Sequence, residues 1–272
     1  MMTKTIFITG ASSGIGRATA QYFADKGWQV AASMRHPESD VHLAQHPNIR
    51  LFRLDVTDAA SIQYAIDKAI EAFGRIDVLV NNAGYGAFGA FEAASEEQVF
   101  RQIDTNIIGL MRVTRAMLPH FRQHHAGVII NLSSIAGRLA SPLFSLYNAT
   151  KFAVEGFSDA LHYELKPLGI QVKLVEPGPI KTEFNGRSKD ESDLRKYPVY
   201  QSYTDKVTRV YEKMFATAPE PVVVAKTIYK AAHSGGFRLR FASGTQGKMI
   251  ILMSKLIPAW KMRFLQRWMA SF

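Results

Sequence analysis

Short apolar runs rich in β-branched residues alternate with longer stretches of helical spacing through most of this chain. The runs predict strands at residues 5–9, 28–34, 49–54, 77–80, 128–132 and 172–175. The stretches between them predict helices at about 14–26, 58–73, 96–123 and 147–168. Strands joined by helices form right-handed crossovers, which build a parallel sheet covered on both faces. The alternation therefore predicts an α/β fold with a single doubly wound parallel sheet and helices on both faces.

The length and composition fit one large folded domain. Of the 272 residues, 47% are apolar and 21% charged, so the chain can bury a sizeable core and is not a disordered protein. The absence of cysteine excludes disulfides, thiolate metal sites and cysteine nucleophiles. We expect one domain over 1–247, which includes a lid or substrate loop at about 180–203, and a basic apolar extension over 248–272. Residues 1–5 lead into the first strand without an apolar signal segment, so we expect a cytoplasmic protein.

The positive charge is concentrated in the C-terminal part of the sequence. The net charge is +10, and residues 221–272 hold nine Lys or Arg and no Asp or Glu, whereas residues 1–220 hold 24 basic and 23 acidic groups. No nucleic-acid-binding module accompanies this charge, so we expect no nucleic-acid partner. The apolar residues of 248–272 must lie against some surface. Packing on the protein or a partner subunit is favoured by the break at Pro258; the alternative is an anionic membrane, with Trp260, Phe264 and Trp268 at the headgroups.

A glycine-rich loop separates the first predicted strand from the first predicted helix. Its sequence is Thr9-Gly10-Ala11-Ser12-Ser13-Gly14-Ile15-Gly16. Glycines let the backbone turn tightly and approach a pyrophosphate, and the following helix N-terminus supplies N–H groups and partial positive charge. Three glycines alone are weak evidence, because glycine is common in turns. Their place between a strand and a helix indicates a dinucleotide-binding site.

The end of the second strand predicts which dinucleotide binds. Sites that select NAD usually place a carboxylate there, against the ribose 2′-hydroxyl. This chain has Ser33, Met34 and Arg35 instead. A guanidinium can pair with a 2′-phosphate, which a carboxylate would repel. The sequence therefore favours NADP (NADPH), with the alternative that Arg35 is only a solvated loop charge.

Four polar residues are candidates for acid–base chemistry. Tyr147 and Lys151 are four residues apart, so on a helix they share one face. A phenol has a pKa near ~10, and a nearby ammonium group lowers it. Ser134 follows the fifth strand, at the sheet end where ligands bind, and Asn106 lies inside a predicted helix, where asparagine is not favoured. The pair Tyr147 and Lys151 is common by chance, so an exposed helix face is its alternative explanation.

In order and spacing, these motifs resemble the short-chain dehydrogenase/reductase family. The matching segments are Thr9-Gly10-x-x-x-Gly14-x-Gly16, Asn81-Asn82-Ala83-Gly84, Asn106, Ser134, Tyr147-x-x-x-Lys151 and Pro177-Gly178. The resemblance covers about residues 3–182 and implies a Rossmann-type fold. Arg35 and the segment 148–153 look like the branch of 17β-hydroxysteroid and retinol dehydrogenases, although many carbonyl reductases share them.

The resemblance implies a hydride transfer between nicotinamide C4 and a substrate carbonyl. Tyr147 would donate the proton to the carbonyl oxygen, or remove it in the oxidative direction. Lys151 would lower the pKa of Tyr147 and hold the nicotinamide ribose hydroxyls. Ser134 would hydrogen-bond the substrate oxygen, and Asn106 would hold a water that links Lys151 to solvent.

Cofactor and substrate contacts follow from the motifs and the resemblance together. The expected cofactor contacts are Gly10, Ser12, Ser13, Gly14, Ile15, Gly16, Arg35, Asp55, Val56, Asn82, Ala83, Gly84, Tyr147, Lys151, Pro177, Gly178, Ile180 and Thr182. In the family, the position of Asp55 contacts the adenine amino group, residues 82–84 line the adenosine ribose, and the last four positions contact the nicotinamide amide. The expected substrate contacts are Ser134, Phe144 and Tyr147. For Tyr85, Phe88 and Phe91, the substrate pocket and the core are equal alternatives.

The sequence supports an NADP-dependent oxidoreductase of a lipophilic alcohol or ketone, of steroid, retinoid or aryl ketone type. We expect a homo-oligomer and no metal site, since His42 and His46 have helical spacing but no third ligand nearby. One rival is a cofactor-binding sensor or scaffold with a degenerate site, against which Asn106, Ser134, Tyr147 and Lys151 argue together. The other rival is a protein whose function lies in its basic tail on a membrane or nucleic acid.

Overall fold

The computed structural model describes residues 3–182 and 189–256 of the chain. Within those ranges, the strands are Thr5–Thr9 (β1), Gln29–Met34 (β2), Ile49–Arg53 (β3), Val78–Asn81 (β4), Gly86–Phe88 (β5), Gly127–Leu132 (β6), Ile170–Pro177 (β7), Lys189–Glu191 (β8) and Arg240–Ser243 (β9). The α-helices are Gly14–Asp25 (α1), Val41–Ala44 (α2), Ala59–Phe73 (α3), Glu96–Ile103 (α4), Leu110–Gln123 (α5), Ser145–Leu165 (α6), Gln201–Ala216 (α7), Val222–His233 (α8) and Thr245–Leu256 (α9).

Seven of the described strands form one parallel sheet, in the order β3-β2-β1-β4-β6-β7-β9. From β1 the chain builds outward through β2 and β3, and from β4 it builds outward in the opposite direction. The direction changes between β1 and β4, and open sheets of this kind bind ligands at the carboxyl ends of the strands beside such a point. The predicted doubly wound parallel sheet is confirmed.

Helices cover both faces of the sheet because the strand side chains alternate between two apolar cores. Ile6 and Ile8 of β1 join the core that contains residues of α1 and α8. Phe7, between them, joins the core that contains residues of α3, α5 and α6. Successive residues of a strand point to opposite faces, so a buried parallel strand is apolar on both.

Local sequence signals explain where several helices begin and end. The Asp58 carboxylate accepts hydrogen bonds from the backbone N–H groups of Ala60 and Ser61, which caps α3. Gly74 ends that helix with a φ of +74°, a conformation that favours glycine. Ser95 and Gln98 form a reciprocal capping box at the start of α4.

The structure differs from the sequence prediction in several places, and the short elements α2 and β5 were not predicted. The predicted helix 96–123 is two α-helices separated by a π-helical turn over Asp104–Gly109. The seventh strand, β9, and the helices α7, α8 and α9 were not predicted. Within the predicted loop 180–203, β8 pairs with β5 in a small parallel sheet, and two 3-10 turns follow it.

Part of the C-terminal extension is helical. Residues 245–256 form α9, while Pro258, Trp260, Phe264 and Trp268 lie outside the described residues. In the part of the chain that the structure covers, no helix has both the length and the apolar character needed to cross a bilayer.

Candidate active site

A cleft of about 710 Å³ runs along the carboxyl ends of the parallel strands. Every site residue predicted from the sequence lines this cleft except Gly16 and Asn106, which lie behind its wall. The sequence interpretation missed further lining residues, among them Arg101, Asp190, Tyr211, Met214 and Phe215. Tyr211, Met214 and Phe215 lie three and four residues apart, a helical spacing that was visible in the sequence.

The glycine loop is held in place by backbone and side-chain contacts from Asn82, the residue that follows β4. Asn82 donates through Nδ2 to the carbonyl oxygens of Thr9 (2.9 Å) and Gly10 (3.0 Å). A Cβ on Gly16 would collide with the Gly10 carbonyl oxygen and with Asn82 Nδ2. Gly10 has a φ of +67° and Gly14 a φ of +52°, which disfavour other residues. The sequence therefore needs glycine at all three positions, and Asn82 supports the loop as well as lining the cleft.

The loop leads to a helix start that suits an anion. Ser13 precedes α1 with an extended backbone, and its side chain makes no capping hydrogen bond to the helix. The first N–H groups of an α-helix lack partners within the helix and carry partial positive charge. Ser12, Ser13, Gly14 and Ile15 all line the cleft at this point. The cradle fits a phosphate of a dinucleotide.

Arg35 lies next to the glycine loop because β1 and β2 end together. Thr9 pairs with Ser33, and the N–H of Ala11 donates to the Ser33 carbonyl oxygen at 2.9 Å. Arg35 is exposed and lines the cleft. The two acids that follow β2, Glu38 and Asp40, are outside the cleft lining; Glu38 is 3.2 Å from a ring nitrogen of His36, and Asp40 is 2.9 Å from Arg17. The segment after β2 therefore contributes a guanidinium and no carboxylate to the cleft lining.

Asp55 and Val56 line the cleft after β3. Asp55 Oδ1 accepts hydrogen bonds from the backbone N–H (2.9 Å) and the hydroxyl (2.7 Å) of Thr57. Burial raises the pKa of Asp55, but these hydrogen bonds outweigh that effect and hold the pKa below its ordinary value. The side chain is therefore an ionised acceptor at neutral pH.

The candidate acid–base residues meet at the start of α6. Tyr147 and Lys151 lie one helical turn apart, and Lys151 Nζ donates to the carbonyl oxygen of Leu132 at 2.7 Å, at the end of β6. Ser134 follows β6, and its hydroxyl accepts from the N–H of Ala136 at 3.1 Å. All three side chains line the cleft. The structure thus brings together a hydroxyl, a phenol and an amine.

Burial governs the protonation of this group. Burial raises the pKa of Tyr147 to about 12, although a hydrogen bond with the Ser134 side chain opposes the shift. Burial also lowers the pKa of Lys151 to about 8, against the attraction of the Glu155 carboxylate. The sequence interpretation expected Lys151 to lower the pKa of Tyr147; in the structure, burial raises that pKa, and a hydrogen bond with Ser134 opposes the rise.

Asn106 lies behind this group, in the π-helical turn, and is almost fully buried. Its Oδ1 accepts from the N–H of Tyr85 (3.1 Å), and its Nδ2 donates to the Tyr85 carbonyl oxygen (2.9 Å) and to Thr150 Oγ1 (3.2 Å). These bonds connect the segment after β4 with α6. Asn106 therefore fixes the position of the helix turn that carries Tyr147.

The cleft end beside Tyr147 is largely aromatic. The Phe144 ring centroid lies 5.8 Å from that of Tyr147 and 5.3 Å from that of Tyr211, which contacts Phe215 at 6.4 Å. Phe88 is buried behind Phe144, at 5.0 Å, whereas Phe91 is 61% exposed and outside the cleft lining. For Tyr85, Phe88 and Phe91 the sequence left the substrate pocket and the core as alternatives, and of these three only Tyr85 lines the cleft. This end suits an apolar substrate.

A polar wall faces the aromatic end. Arg101 donates through Nη2 to Asp190 Oδ2, and Gln98 Nε2 donates to Asp190 Oδ1 at 2.9 Å. These contacts attach β8 to α4. The N–H of Ser192 donates to the Phe88 carbonyl oxygen at 2.9 Å and extends the pairing of β8 with β5.

Known proteins share both the sequence and the fold of this chain. The 3-ketodihydrosphingosine reductase of Bacteroides thetaiotaomicron is 43% identical over 184 residues, which cover 68% of this chain and 66% of that protein. A short-chain dehydrogenase from Streptomyces avermitilis has a TM-score of 0.82 and 33% identity, covering 93% of this chain and 92% of that one. ElxO with NADP bound has a TM-score of 0.72 and 30% identity, covering 89% of this chain and 98% of that one. A Burkholderia phymatum protein in complex with NAD shares the fold at 24% identity and a TM-score of 0.79, over 93% of this chain and 92% of that one.

The family model for short chain dehydrogenase matches residues 4–193, which contain the glycine loop, Ser134, Tyr147 and Lys151. The match ends before α7, so the helix that carries Tyr211 and Phe215 lies beyond it. By this match and by its likeness to the proteins above, the chain belongs to the short-chain dehydrogenase/reductase family of oxidoreductases.

Proposed function

We propose that this protein is an NADP-dependent oxidoreductase that interconverts a carbonyl and an alcohol on a lipophilic substrate. The observation that carries the proposal is the position of Ser134, Tyr147 and Lys151. They lie where the cleft that begins at the glycine loop meets its aromatic end. A cofactor along the first part and a substrate against the second would both reach these three side chains.

In this proposal, Tyr147 moves the proton and Ser134 and Lys151 position the reactants. A pKa of about 12 keeps the Tyr147 phenol protonated at neutral pH, so its Oη can donate a proton to a carbonyl oxygen. The Ser134 hydroxyl donates a hydrogen bond to the same oxygen as negative charge develops on it. Lys151 Nζ, which donates to the Leu132 carbonyl oxygen, would hold the ribose hydroxyls of the cofactor. A nicotinamide bound there would supply or accept the hydride.

The Arg35 guanidinium after β2 supports NADP as the cofactor. Arg35 lines the cleft, while Glu38 and Asp40 lie outside its lining, beside His36 and Arg17. A 2′-phosphate would meet the Arg35 guanidinium there, and neither of the two carboxylates that follow β2 lines the cleft. ElxO, at 30% identity, binds NADP, which agrees with this choice.

The aromatic end supports a lipophilic substrate. Phe144, Tyr211, Met214 and Phe215 give it a mainly apolar surface, and burial of such surface drives ligand binding. The relative from Bacteroides thetaiotaomicron is named for a ketone on a long-chain base, which adds an aliphatic ketone to the steroid, retinoid and aryl classes.

The cofactor proposal is tested by affinity. We expect NADPH to bind more tightly than NADH, and Arg35→Ala to weaken NADPH binding by roughly ten- to a hundredfold, because a charge-assisted contact contributes about 1.5–3 kcal/mol. NADH affinity should change little. Arg50→Ala, which removes an exposed arginine outside the cleft lining, is the matched control. Equal wild-type affinity for the two cofactors would show that the NADP assignment is wrong.

The substrate proposal is tested by turnover. NADPH oxidation is measured with steroid, retinoid, aryl and long-chain aliphatic ketones, and with small polar ketones for comparison. We expect lipophilic ketones to have the higher kcat/KM, and Phe215→Ala to lower kcat/KM for them through KM. A cofactor-binding sensor would bind NADPH and turn over none of these compounds.

A further inference from the structure

Lys151 and Glu155 share one buried face of helix α6. They are four residues apart, a spacing that makes their side chains neighbours on the helix surface. Lys151 is 8% exposed and Glu155 is 6% exposed. Lys151 Nζ donates to the Leu132 carbonyl oxygen at 2.7 Å, so Glu155 acts on the amine by its charge. Two groups of opposite charge therefore lie together behind the wall of the cleft.

The Glu155 carboxylate is held by arginines that it shares with other acids. Its Oε2 atom accepts from Arg240 Nε of β9 at 2.9 Å and lies 4.0 Å from Arg138 Nη1. Arg240 also donates through Nη2 to Asp159 Oδ2 at 2.9 Å, and Arg138 Nη1 is closer to Glu176 Oε1, at 3.5 Å. The arginines therefore fix the Glu155 carboxylate in place, but neither of them belongs to that carboxylate alone.

The second carboxylate oxygen of Glu155 is left without a donor. Within residues 3–182 and 189–256, its Oε1 atom is buried and accepts no hydrogen bond. Charge on a buried oxygen is poorly screened, so it acts more strongly on a neighbouring cation than it would in water. The Glu155 carboxylate raises the pKa of Lys151, against the burial that lowers it.

Charged and titratable side chains lie around this pair on α6 itself and on the elements packed against it. They are Tyr147, Asp159 and His162 on α6, Arg138 after the Ser134 turn, Glu176 on β7 and Arg240 on β9. On the side of the π-helical turn, α6 meets the uncharged Asn106, which donates to Thr150 Oγ1 at 3.2 Å. Of all these groups, Glu155 supplies the charge that attracts Lys151.

The turn that carries Ser134 packs on the same stretch of α6. A Cβ on Gly137 would lie 2.9 Å from the Lys151 carbonyl oxygen and 3.0 Å from Glu155 Cγ. The turn therefore covers the Glu155 side chain so closely that only glycine fits between them. This contact and the two arginines together fix the carboxylate relative to Lys151 and Ser134.

We propose that Glu155 is a positioning residue of the active site, whose fixed carboxylate keeps Lys151 in the ammonium form. Glu155 is outside the cleft lining and acts through Lys151. Its effect on cofactor binding rests on the function proposed above, in which the Lys151 ammonium holds the ribose hydroxyls. The charge state of Lys151 itself does not rest on that function and can be measured without a cofactor.

Nuclear magnetic resonance of protein with isotope-labelled lysine measures that charge state. The Lys151 signal is identified by its loss in Lys151→Met. We expect Glu155→Gln to lower the pKa of Lys151 from about 8 by about one unit, because an opposite charge is removed. Glu155→Asp keeps the charge and should restore most of the shift. The matched control is Asp159→Asn, which removes the other carboxylate partner of Arg240 and should leave the pKa of Lys151 nearly unchanged.

Cofactor affinity gives a second readout, which separates loss of charge from loss of structure. At about pH 6, Lys151 is an ammonium ion in both proteins, so wild type and Glu155→Gln should bind NADPH with equal Kd. At about pH 8, the variant has lost most of its ammonium form, and its Kd should be about fivefold higher than that of wild type. A merely structural defect would raise Kd equally at both pH values.

The outcomes for Glu155 and for the proposed function can be told apart. The proposal is overturned if Lys151 has the same pKa in wild type and Glu155→Gln, or if Asp159→Asn shifts it equally. If urea denaturation shows Glu155→Gln to be unstable, Glu155→Met removes the same charge without burying an amide and decides in its place. A shifted Lys151 pKa with unchanged NADPH affinity would support the role of Glu155 and contradict the cofactor role of Lys151.

Discussion

At the scale of single residues, burial opposes the charged forms of both Tyr147 and Lys151. The pKa of Tyr147 is raised to about 12 and that of Lys151 is lowered to about 8, each chiefly by burial. Glu155, four residues after Lys151, is 6% exposed and raises the pKa of the lysine again. The Arg240 Nε atom donates to Glu155 Oε2 at 2.9 Å, so the carboxylate is itself held in place. The pKa of Lys151 therefore lies close to neutral pH, whereas Tyr147 stays protonated as the neutral phenol.

The first prediction concerns the proton donor. We expect Tyr147→Phe to lower kcat by about 10²–10⁴-fold, because general acid catalysis is lost, while NADPH binds with nearly unchanged affinity. Stopped-flow turnover and fluorescence titration measure the two quantities. The matched control is Tyr211→Phe, which removes a second phenol from the same cleft, where it donates to the Pro142 carbonyl oxygen at 3.1 Å. Near-normal turnover in Tyr147→Phe would contradict the proposed mechanism.

The second prediction is a pH dependence of cofactor binding. The folded-state pKa of Lys151, about 8, lies below its ordinary value of 10.5, so the ammonium form predominates below about pH 8 and the neutral amine above it. Binding of an anionic cofactor favours the ammonium form, so the Kd for NADPH should rise about tenfold between about pH 7 and pH 9. Lys151→Met should bind weakly and without this pH dependence. A flat wild-type profile in isothermal titration would contradict the assignment.

The role of a site residue can be predicted from the sequence when that role depends on residues close to it in the chain. Tyr147, Lys151 and Ser134 are predictable because helical spacing and strand ends already bring them to one place. The support that Asn82 gives the glycine loop is not, because it depends on contacts with Thr9 and Gly10, more than seventy residues away. The rise of the Tyr147 pKa through burial is likewise a property of the assembled site.

At the scale of elements, the π-helical turn between α4 and α5 shapes the site. Apolar spacing runs through residues 96–123, so the sequence predicts one helix. The turn over Asp104–Gly109 has the wider i to i+5 pattern and carries Asn106 to the backbone of Tyr85 and to Thr150. These partners come from other parts of the chain. A local pattern could not predict the turn, because tertiary hydrogen bonds stabilise it.

The third prediction concerns the attachment of β8. We expect Arg101→Gln to accelerate amide exchange at Ser192 about fivefold and to raise KM more than it lowers kcat, because the polar cleft wall loosens. Hydrogen-exchange mass spectrometry of residues 189–193 measures the first effect. Glu97→Gln is the matched control: it removes only the exposed contact of Arg101 at 3.3 Å and leaves Asp190 paired. Equal exchange in the two variants would show that the ion pair does not hold the strand.

At the scale of the whole molecule, the first helix, α1, packs against α8, which lies near the other end of the described residues. The Tyr229 ring of α8 lies 5.6 Å from Tyr22 and 5.2 Å from Phe23 of α1. Val224 is fully buried and belongs to the same core as Ile6 and Ile8 of β1. One apolar core therefore joins segments that are far apart in the sequence.

The fourth prediction concerns the contribution of this core to the free energy of unfolding. We expect Val224→Ala to lower the free energy of unfolding by about 2–3 kcal/mol, through lost apolar burial and a residual cavity. Val222→Ala, two residues earlier on the same helix and 39% exposed, should change it by about 0.5 kcal/mol or less. Urea denaturation gives both values. Similar effects of the two substitutions would show that α8 contributes little to the core.

The sequence predicts most of the sheet but not its last strand. Each of the six predicted strands contains at least three apolar or β-branched residues, whereas β9 is Arg-Phe-Ala-Ser and contains two. It becomes a strand because Leu174–Pro177 of β7 offer an unpaired edge, with which Arg240–Ser243 pair in parallel. Helix α8 is equally hard to predict from its own residues, because its place in the fold is set by its packing on α1. The segments that β9 and α8 pack against determine these two elements, and such long-range partners cannot be identified from a single sequence.

The contact between α1 and α8 also has a consequence for synthesis. A ribosome delivers β1 and α1 first, so Phe23 and Trp28 stay uncovered until residues 222–243 have emerged. The nascent chain therefore carries an open apolar surface during most of its translation, a state that chaperones bind and that favours aggregation. Protease resistance of ribosome-stalled chains should appear only when the stall point lets β9 leave the exit tunnel. Folding of this protein is thus expected to finish at the end of translation, not to proceed gradually along it.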